Sequence, residues 1–156
     1  MSDMFSLKGH RALVTGANTG IGQAIAVALA TQGARVTCAG RRSSDETVAL
    51  IEGAGGQADT LLVDFAEPLA AQGIFADAGY TLLVNNAGII RREDALLHSE
   101  ADWDAVIDTN LKAVFFTAQA FARELVAKGQ EGAIVNIASL LSFQGGIRVP
   151  GYTASK

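Results

Sequence analysis

The chain has 156 residues, 49% hydrophobic and 18% charged, with 17 glycines and one cysteine. That size and composition suit one globular domain and exclude a disordered tail, an internal disulfide framework or an all-cysteine metal site. Net charge is -4, and no run of Lys or Arg exceeds the pairs Arg41-Arg42 and Arg91-Arg92, which argues against a nucleic-acid or anionic-membrane surface. Met1-Ser2-Asp3-Met4 shows no basic segment leading into an apolar one, and no apolar stretch approaches the ~20 residues of a membrane span. A cytoplasmic address is therefore expected.

The short apolar run 11–15 ends in Gly16, and 20–32 repeats small and aliphatic residues at helical spacing, which predicts strand, glycine turn and helix. A second strand is expected at 34–39, then a helix over 45–52 with Ser44 as its N-cap. A third strand is expected at 60–63. A short helix follows over 69–78, with Pro68 in its first turn. The fourth strand falls at 81–84. Ser99, with Asp102 three residues on, resembles a capping box and opens a long helix over 101–128 that Gly129 stops. A fifth strand is expected at 133–138. Strands apolar nearly throughout, alternating with helices, imply a parallel sheet covered on both faces, the doubly wound α/β class of Rossmann type. No repeat or linker marks a second domain.

Between the first strand and helix, Thr15 to Gly22 (TGANTGIG) places backbone amides and a helix N-terminus where they can hold a pyrophosphate. A structural turn also uses glycine, so this signal is weak alone. Asp64 follows the third strand at the same sheet edge, where it can accept from an adenine amino group or simply close a turn. Asn85-Asn86-Ala87-Gly88 ends the fourth strand at that edge too.

Taken together, TGxxxGxG at Thr15 to Gly22, NNAG at Asn85 to Gly88, Ser139, and YxxxK at Tyr152 to Lys156 resemble the short-chain dehydrogenase/reductase family. The likeness runs from about Leu7 onward. Asn85 to Asp94 (NNAGIIRRED) and Ser139 to Tyr152 (SLLSFQGGIRVPGY) are similar to the family's sugar-acid dehydrogenases, which act on acids such as 2-deoxy-gluconate and 2-keto-3-deoxy-gluconate. The resemblance implies an NAD(P)-dependent oxidoreductase. It implies that Gly16, Asn18, Thr19, Gly20, Ile21 and Gly22, with Asp64, Asn86, Ala87 and Gly88, bind the dinucleotide.

Reducing a ketone by hydride leaves an alkoxide that needs a proton, and the reverse oxidation needs a base. A phenol can do both if its ordinary pKa of roughly 10 falls, and a nearby ammonium favours the phenolate. Tyr152 is therefore the expected general acid/base, with Lys156 four residues on sharing its helix face. The resemblance implies that Lys156 also holds the nicotinamide ribose. Ser139 would polarise the substrate oxygen; Ser142 is its rival, but the spacing from Ser139 to Tyr152 fits the family better. Asn110, in the middle of the long helix, is either a polar position on an exposed stripe or, as the resemblance implies, the residue that holds a water in a proton relay to the lysine. The second is expected here. The helix is apolar around most of its circumference over 114–126, which predicts packing on the sheet and on a partner subunit, hence a homo-oligomer.

The second strand ends without a carboxylate to read a ribose 2′-hydroxyl. Arg41 and Arg42 stand there instead, which leans the cofactor toward NADP(H) over NAD(H). For a sugar acid, Arg148 is the expected carboxylate clamp, with Gln144 for hydroxyls and Arg91 or Arg92 at the opposite rim, one of that pair bridging to Glu93 or Asp94. His10 and His98 lie outside the motifs, so no metal is expected. Cys38 reads as a buried strand residue and Trp103 as helix packing.

Family members continue past their YxxxK motif, so residues 1–156 are expected to be a single dinucleotide-binding catalytic domain without its C-terminal part, the fold cut short after the fifth strand. Two other readings stand beside the sugar-acid dehydrogenase. One is a chain that binds a dinucleotide without catalysis; the other is a 3-oxoacyl or other ketone reductase on the same scaffold.

Overall fold

A computed structural model describes residues 4–67 and 69–156. The elements are β1 (Arg11–Thr15), α1 (Gly20–Thr31), β2 (Arg35–Gly40), α2 (Asp45–Gly53), β3 (Gln57–Leu62), β4 (Leu82–Asn85), α3 (Glu100–Ile107), a π-helical turn (Asp108–Lys112), α4 (Ala113–Lys128), β5 (Ala133–Asn136), α5 (Leu141–Gln144) and α6 (Pro150–Ser155). All strand pairings are parallel, in the order β3-β2-β1-β4-β5. The chain builds outward from β1 to β3 and then returns to the other side of β1. That reversal puts the topological switch point between the carboxyl ends of β1 and β4, where ligands of open α/β sheets bind.

Alternation along each strand divides the core in two. Ala12, Val14, Val36, Cys38 and Val84 face Ala26 and Ala30 of α1 and Ile51 of α2. Leu13, Ala39 and Leu83 face Phe121 and Leu125 of α4, with Phe65, Phe75 and Tyr80. The side chains of Phe75 and Phe121 meet edge to face, with ring centroids 5.5 Å apart. Burial pushes the Cys38 thiol up to about 11, with the Asp59 charge adding to the shift.

Several boundaries differ from expectation. β3 starts at Gln57, because pairing with β2 extends through Arg35↔Gln57 even though its polar residues hide the strand. β5 stops at Asn136, and its Ile134 and Val135 are partly exposed. No helix forms over 69–78. Single i→i+3 turns run instead, such as Gln72 N to Leu69 O at 3.1 Å and Ala78 N to Phe75 O at 3.2 Å. Gly73, Gly79 and Asp77, the last two at positive φ, break helical continuity while Ala71 and Phe75 still anchor the segment in the core. Pro68 lies outside the described residues. The long helix is two helices joined by the π turn. Ser99 caps α3 as expected, its Oγ accepting from Asp102 N at 3.1 Å, and Gly129 ends α4 at φ +60. Ser44 occupies the N-cap position of α2 but makes no capping bond; Ser43 Oγ accepts from Asp45 N instead.

Candidate active site

Parallel strands bring every motif to one sheet edge. Gly16 leaves β1 at φ +65, in the left-handed region open to glycine, and its amide donates to Ala39 O at 2.7 Å. A Cβ there would sit 2.9 Å from Ala87 Cα, and one on Gly22 would overlap both Gly16 O and Asn86 Nδ2. The two glycines thus let the turn, α1 and the end of β4 close on one another. Thr19 stands at the N-cap of α1 with no side-chain cap, which leaves the first-turn amides of Gly20, Ile21 and Gly22 without intrahelical partners.

Asn86 stitches the two strand ends. Its Nδ2 donates to Thr15 O at 3.0 Å and Gly16 O at 3.2 Å, while the amides of Asn86 and Ala87 both donate to Thr15 Oγ1. The side chain of Asn86 is therefore engaged with protein backbone, and the sequence reading missed Thr15 as the acceptor that receives both amides. It also missed Thr47. Fully buried in α2, Thr47 Oγ1 donates to Ala17 O at 2.8 Å and accepts from Gln23 Nε2. No sequence motif announces it.

Asn110 is 3% exposed, so it is no member of an exposed stripe. The π turn inserts it toward β4, where Oδ1 accepts from Ile89 N at 2.8 Å and Nδ2 donates to Ile89 O and to Ser155 Oγ. Ser155, missed by sequence, also donates to Tyr152 O. The amide of Lys156 bonds the same carbonyl, so Tyr152 and Lys156 span one helical turn. Lys156 Nζ donates to Ile137 O at 2.8 Å, beyond the end of β5. A Cβ on Gly88 would meet Asn110 Oδ1 at 3.2 Å and Lys156 Nζ at 3.5 Å. The NNAG glycine, the π-turn asparagine and the YxxxK lysine thus converge. Burial holds the Lys156 ammonium below the usual lysine range.

Ser139 and Ser142 share one loop. Ser139 Oγ accepts from Leu141 N and Ser142 Oγ accepts from Ser139 N, so the rival serine fixes the backbone of the first. Gln144 is exposed at the end of α5. Arg148 is paired with Asp94 at 3.0 Å and Glu93 at 3.5 Å. The guanidinium expected to clamp a substrate is already held by protein carboxylates. This also corrects the expected partner of the acidic pair, since Arg91 bonds Asp102 instead.

A cleft of about 290 Å³ opens at the switch point, lined by Gly16, Asn18, Arg41, Arg42, Asp64, Ala87, Gly88 and Arg91 among others. Asp64 closes a turn, one carboxylate oxygen accepting from Ala66 N, and the residue also lines the cleft. Among the described residues neither Arg41 nor Arg42 forms an ion pair. A larger hollow of about 510 Å³ at the opposite edge, near Lys8 and Arg35, gathers none of the motifs.

The short chain dehydrogenase family model matches residues 10–156. The chain belongs to that family. The chain is 47% identical over 157 residues to the 2-dehydro-3-deoxy-D-gluconate 5-dehydrogenase of Escherichia coli K12, covering 97% of this chain and 62% of the relative. It is 43% identical to the gluconate 5-dehydrogenase of Gluconobacter oxydans, covering 99% of this chain and 62% of the relative. A crystal structure from Agrobacterium tumefaciens, described as a 2-deoxy-D-gluconate 3-dehydrogenase with bound NADP, superposes with a TM-score of 0.96 at 68% identity, covering 97% of this chain and 61% of that one. The chain thus spans about three fifths of the length of these relatives. Among its described residues no helix is long and apolar enough to cross a membrane.

Proposed function

We propose that this chain is the dinucleotide-binding, catalytic portion of a cytoplasmic oxidoreductase that interconverts a hydroxyl and a keto group on a sugar acid, using NADP(H) in preference to NAD(H). The observation that carries the proposal is the convergence of Gly88, Asn110 and Lys156, one helical turn from Tyr152, beside a cleft that ends in two arginines with no ion pair among the described residues. The sugar-acid class is supported by the names of the relatives above.

The residues fit the cofactor. The start of α1 has no side-chain cap, so its first-turn amides are free for an anion, and Gly20 there, at φ +59, has open space where a Cβ would stand. Gly16, Asn18, Thr19, Gly20, Ile21 and Gly22 would hold the pyrophosphate, Arg41 and Arg42 the 2′-phosphate, Asp64 the adenine, and Ala87, Gly88 and Lys156 the nicotinamide half. When bound, the dinucleotide supplies or takes up the hydride. Tyr152 gives its phenolic proton to the oxygen that becomes the alcohol, and removes it in the oxidation direction. Lys156 lowers the free energy of the phenolate by Coulomb attraction. Ser139 orients the reacting oxygen, with Arg91 and Gln144 reading the rest of the sugar acid. Asn110 fixes Ile89 and Ser155 around the lysine. Exposed Leu111, Phe115 and Val126 on the long helix support a homo-oligomer.

The test is nicotinamide absorbance at 340 nm, as the assay wavelength, with the protein expressed at full length. Turnover with 2-keto-3-deoxy-gluconate or 2-deoxy-gluconate, and much slower turnover of neutral ketones or 3-oxoacyl thioesters, is expected. Equal rates on neutral ketones would replace the sugar-acid reading by a general ketone reductase.

A further inference from the structure

Arg148 stands at φ +63, a left-handed conformation that a side chain of its size adopts only where contacts enforce it. Those contacts are all on one loop. Arg148 O accepts from Glu93 N at 3.0 Å, Nε lies 3.0 Å from Asp94 Oδ1, and Nη2 lies 3.5 Å from Glu93 Oε1. Glu93 Oε1 in turn accepts from Asp94 N at 2.8 Å, which presents the two carboxylates together.

Each partner leads directly into the site. The 89–94 loop starts at Ile89, whose amide and carbonyl are both held by Asn110. On the other side, Arg148 precedes the buried Val149, and α6 follows at once with Tyr152 and Lys156. This helix is six residues long and has no side-chain cap, so it cannot hold its own place. Gly151 rests on Val106 and Trp103 of α3, which fixes one face of the helix. The Arg148 contacts fix its entry from the opposite loop.

We infer that Arg148 is a positioning residue, a clasp that sets the start of α6 and thereby the place of Tyr152, rather than a ligand of the substrate carboxylate. The inference rests on the proposed function for its kinetic readout and on the fold alone for its second readout. A clasp acts on turnover whatever the substrate, whereas a carboxylate ligand acts on the binding of charged substrates.

In the full-length protein, Arg148→Ala should lower kcat about fivefold on the sugar acid and on a neutral ketone alike, the scale of losing two exposed ion pairs. KM should change less than twofold, and Arg148→Lys should recover part of the loss. The double variant Glu93→Gln/Asp94→Asn keeps the arginine and should reproduce the loss, and it carries the test if Arg148→Ala does not fold. Amide hydrogen exchange over 150–156 should quicken in that double variant while β1 to β4 stay protected. A tenfold rise in KM confined to the carboxylate substrate, with kcat unchanged, would overturn the clasp in favour of a substrate ligand. Unchanged exchange over 150–156 would overturn it as well. Absence of wild-type turnover on every substrate would defeat the proposed function, and the exchange result would still decide the clasp.

Discussion

One added methyl separates a packing glycine from a merely tolerated one. At Gly22 a Cβ would overlap Gly16 O and Asn86 Nδ2, neither of which can yield cheaply: the first is backbone and the second donates to Thr15 O and Gly16 O. Overpacking of this kind costs roughly 1–3 kcal/mol, and loosening two hydrogen bonds adds about 1 kcal/mol each. Gly22→Ala should therefore lose about 3–5 kcal/mol, a fall in Tm of roughly 6–20 °C for a domain of this size. The displaced turn should weaken NADPH binding at least tenfold, read by nucleotide fluorescence. Gly53→Ala is the control. That glycine ends α2 with nothing within 4 Å of an added Cβ and no positive φ, so the same methyl should raise stability by about 0.5–1 kcal/mol through lost backbone freedom in the unfolded chain. If Gly22→Ala kept both Tm and NADPH affinity within error of Gly53→Ala, the packing of the glycine turn on Asn86 would be refuted.

Tyr152→Phe should abolish turnover in the full-length enzyme while NADPH affinity changes less than threefold; retained turnover would remove the phenol from proton transfer. Arg41→Ala/Arg42→Ala should cut the NADPH-to-NADH preference about tenfold, measured as a ratio of kcat/KM values, because the two guanidinium groups lose a phosphate partner that NADH lacks. An unchanged ratio would mean the arginines are only solvated. Cys38 titrates near 11 when folded against an ordinary value of 9.0. The unfolded chain loses that proton first, so the contribution of Cys38 is fully present below pH 9 and is lost as pH rises toward 11. Burial holds Lys156 below 10.5; its contribution has the opposite sign, rising with pH up to that value. Urea unfolding from pH 8 to 11 should show a less negative slope in Cys38→Val than in the wild type, and identical slopes would contradict the burial of the thiol.

What the sequence made legible was whatever repeats or punctuates. β1 is announced by Arg-Ala-Leu-Val-Thr against a glycine, and Ser99 and Gly129 mark helix ends by chemistry that works locally. β3 was half hidden because Gln57, Ala58 and Asp59 carry no apolar run: they pair with β2 through the backbone ladder, and Asp59 adds ion pairs to Arg11 and Arg35. The 69–78 segment looks helical by its apolar spacing, but Gly73, Asp77 and Gly79 override it. The π turn leaves no signal in periodicity, since the helix beyond it is apolar around most of its circumference and a phase shift of its apolar stripe does not show.

The same division runs through the site. Gly16, Arg41, Asp64 and Gly88 were read as dinucleotide ligands and Arg91 as a substrate ligand; all five line the cleft between β1 and β4. Asn86, Asn110 and Arg148 were read as ligands or relays, yet each directs its polar atoms at protein: two carbonyls of the glycine turn, both backbone groups of Ile89, two carboxylates of one loop. A motif records that a residue type is needed at a position, and a carboxamide bonds a backbone as readily as a nucleotide. Buried polar groups must be satisfied somewhere, so when a motif asparagine is 3% exposed, the protein's own backbone is its partner of first resort. What stays open at this edge, among the described residues, is Gly20, the amides at the start of α1, and the guanidinium groups of Arg41 and Arg42 after β2.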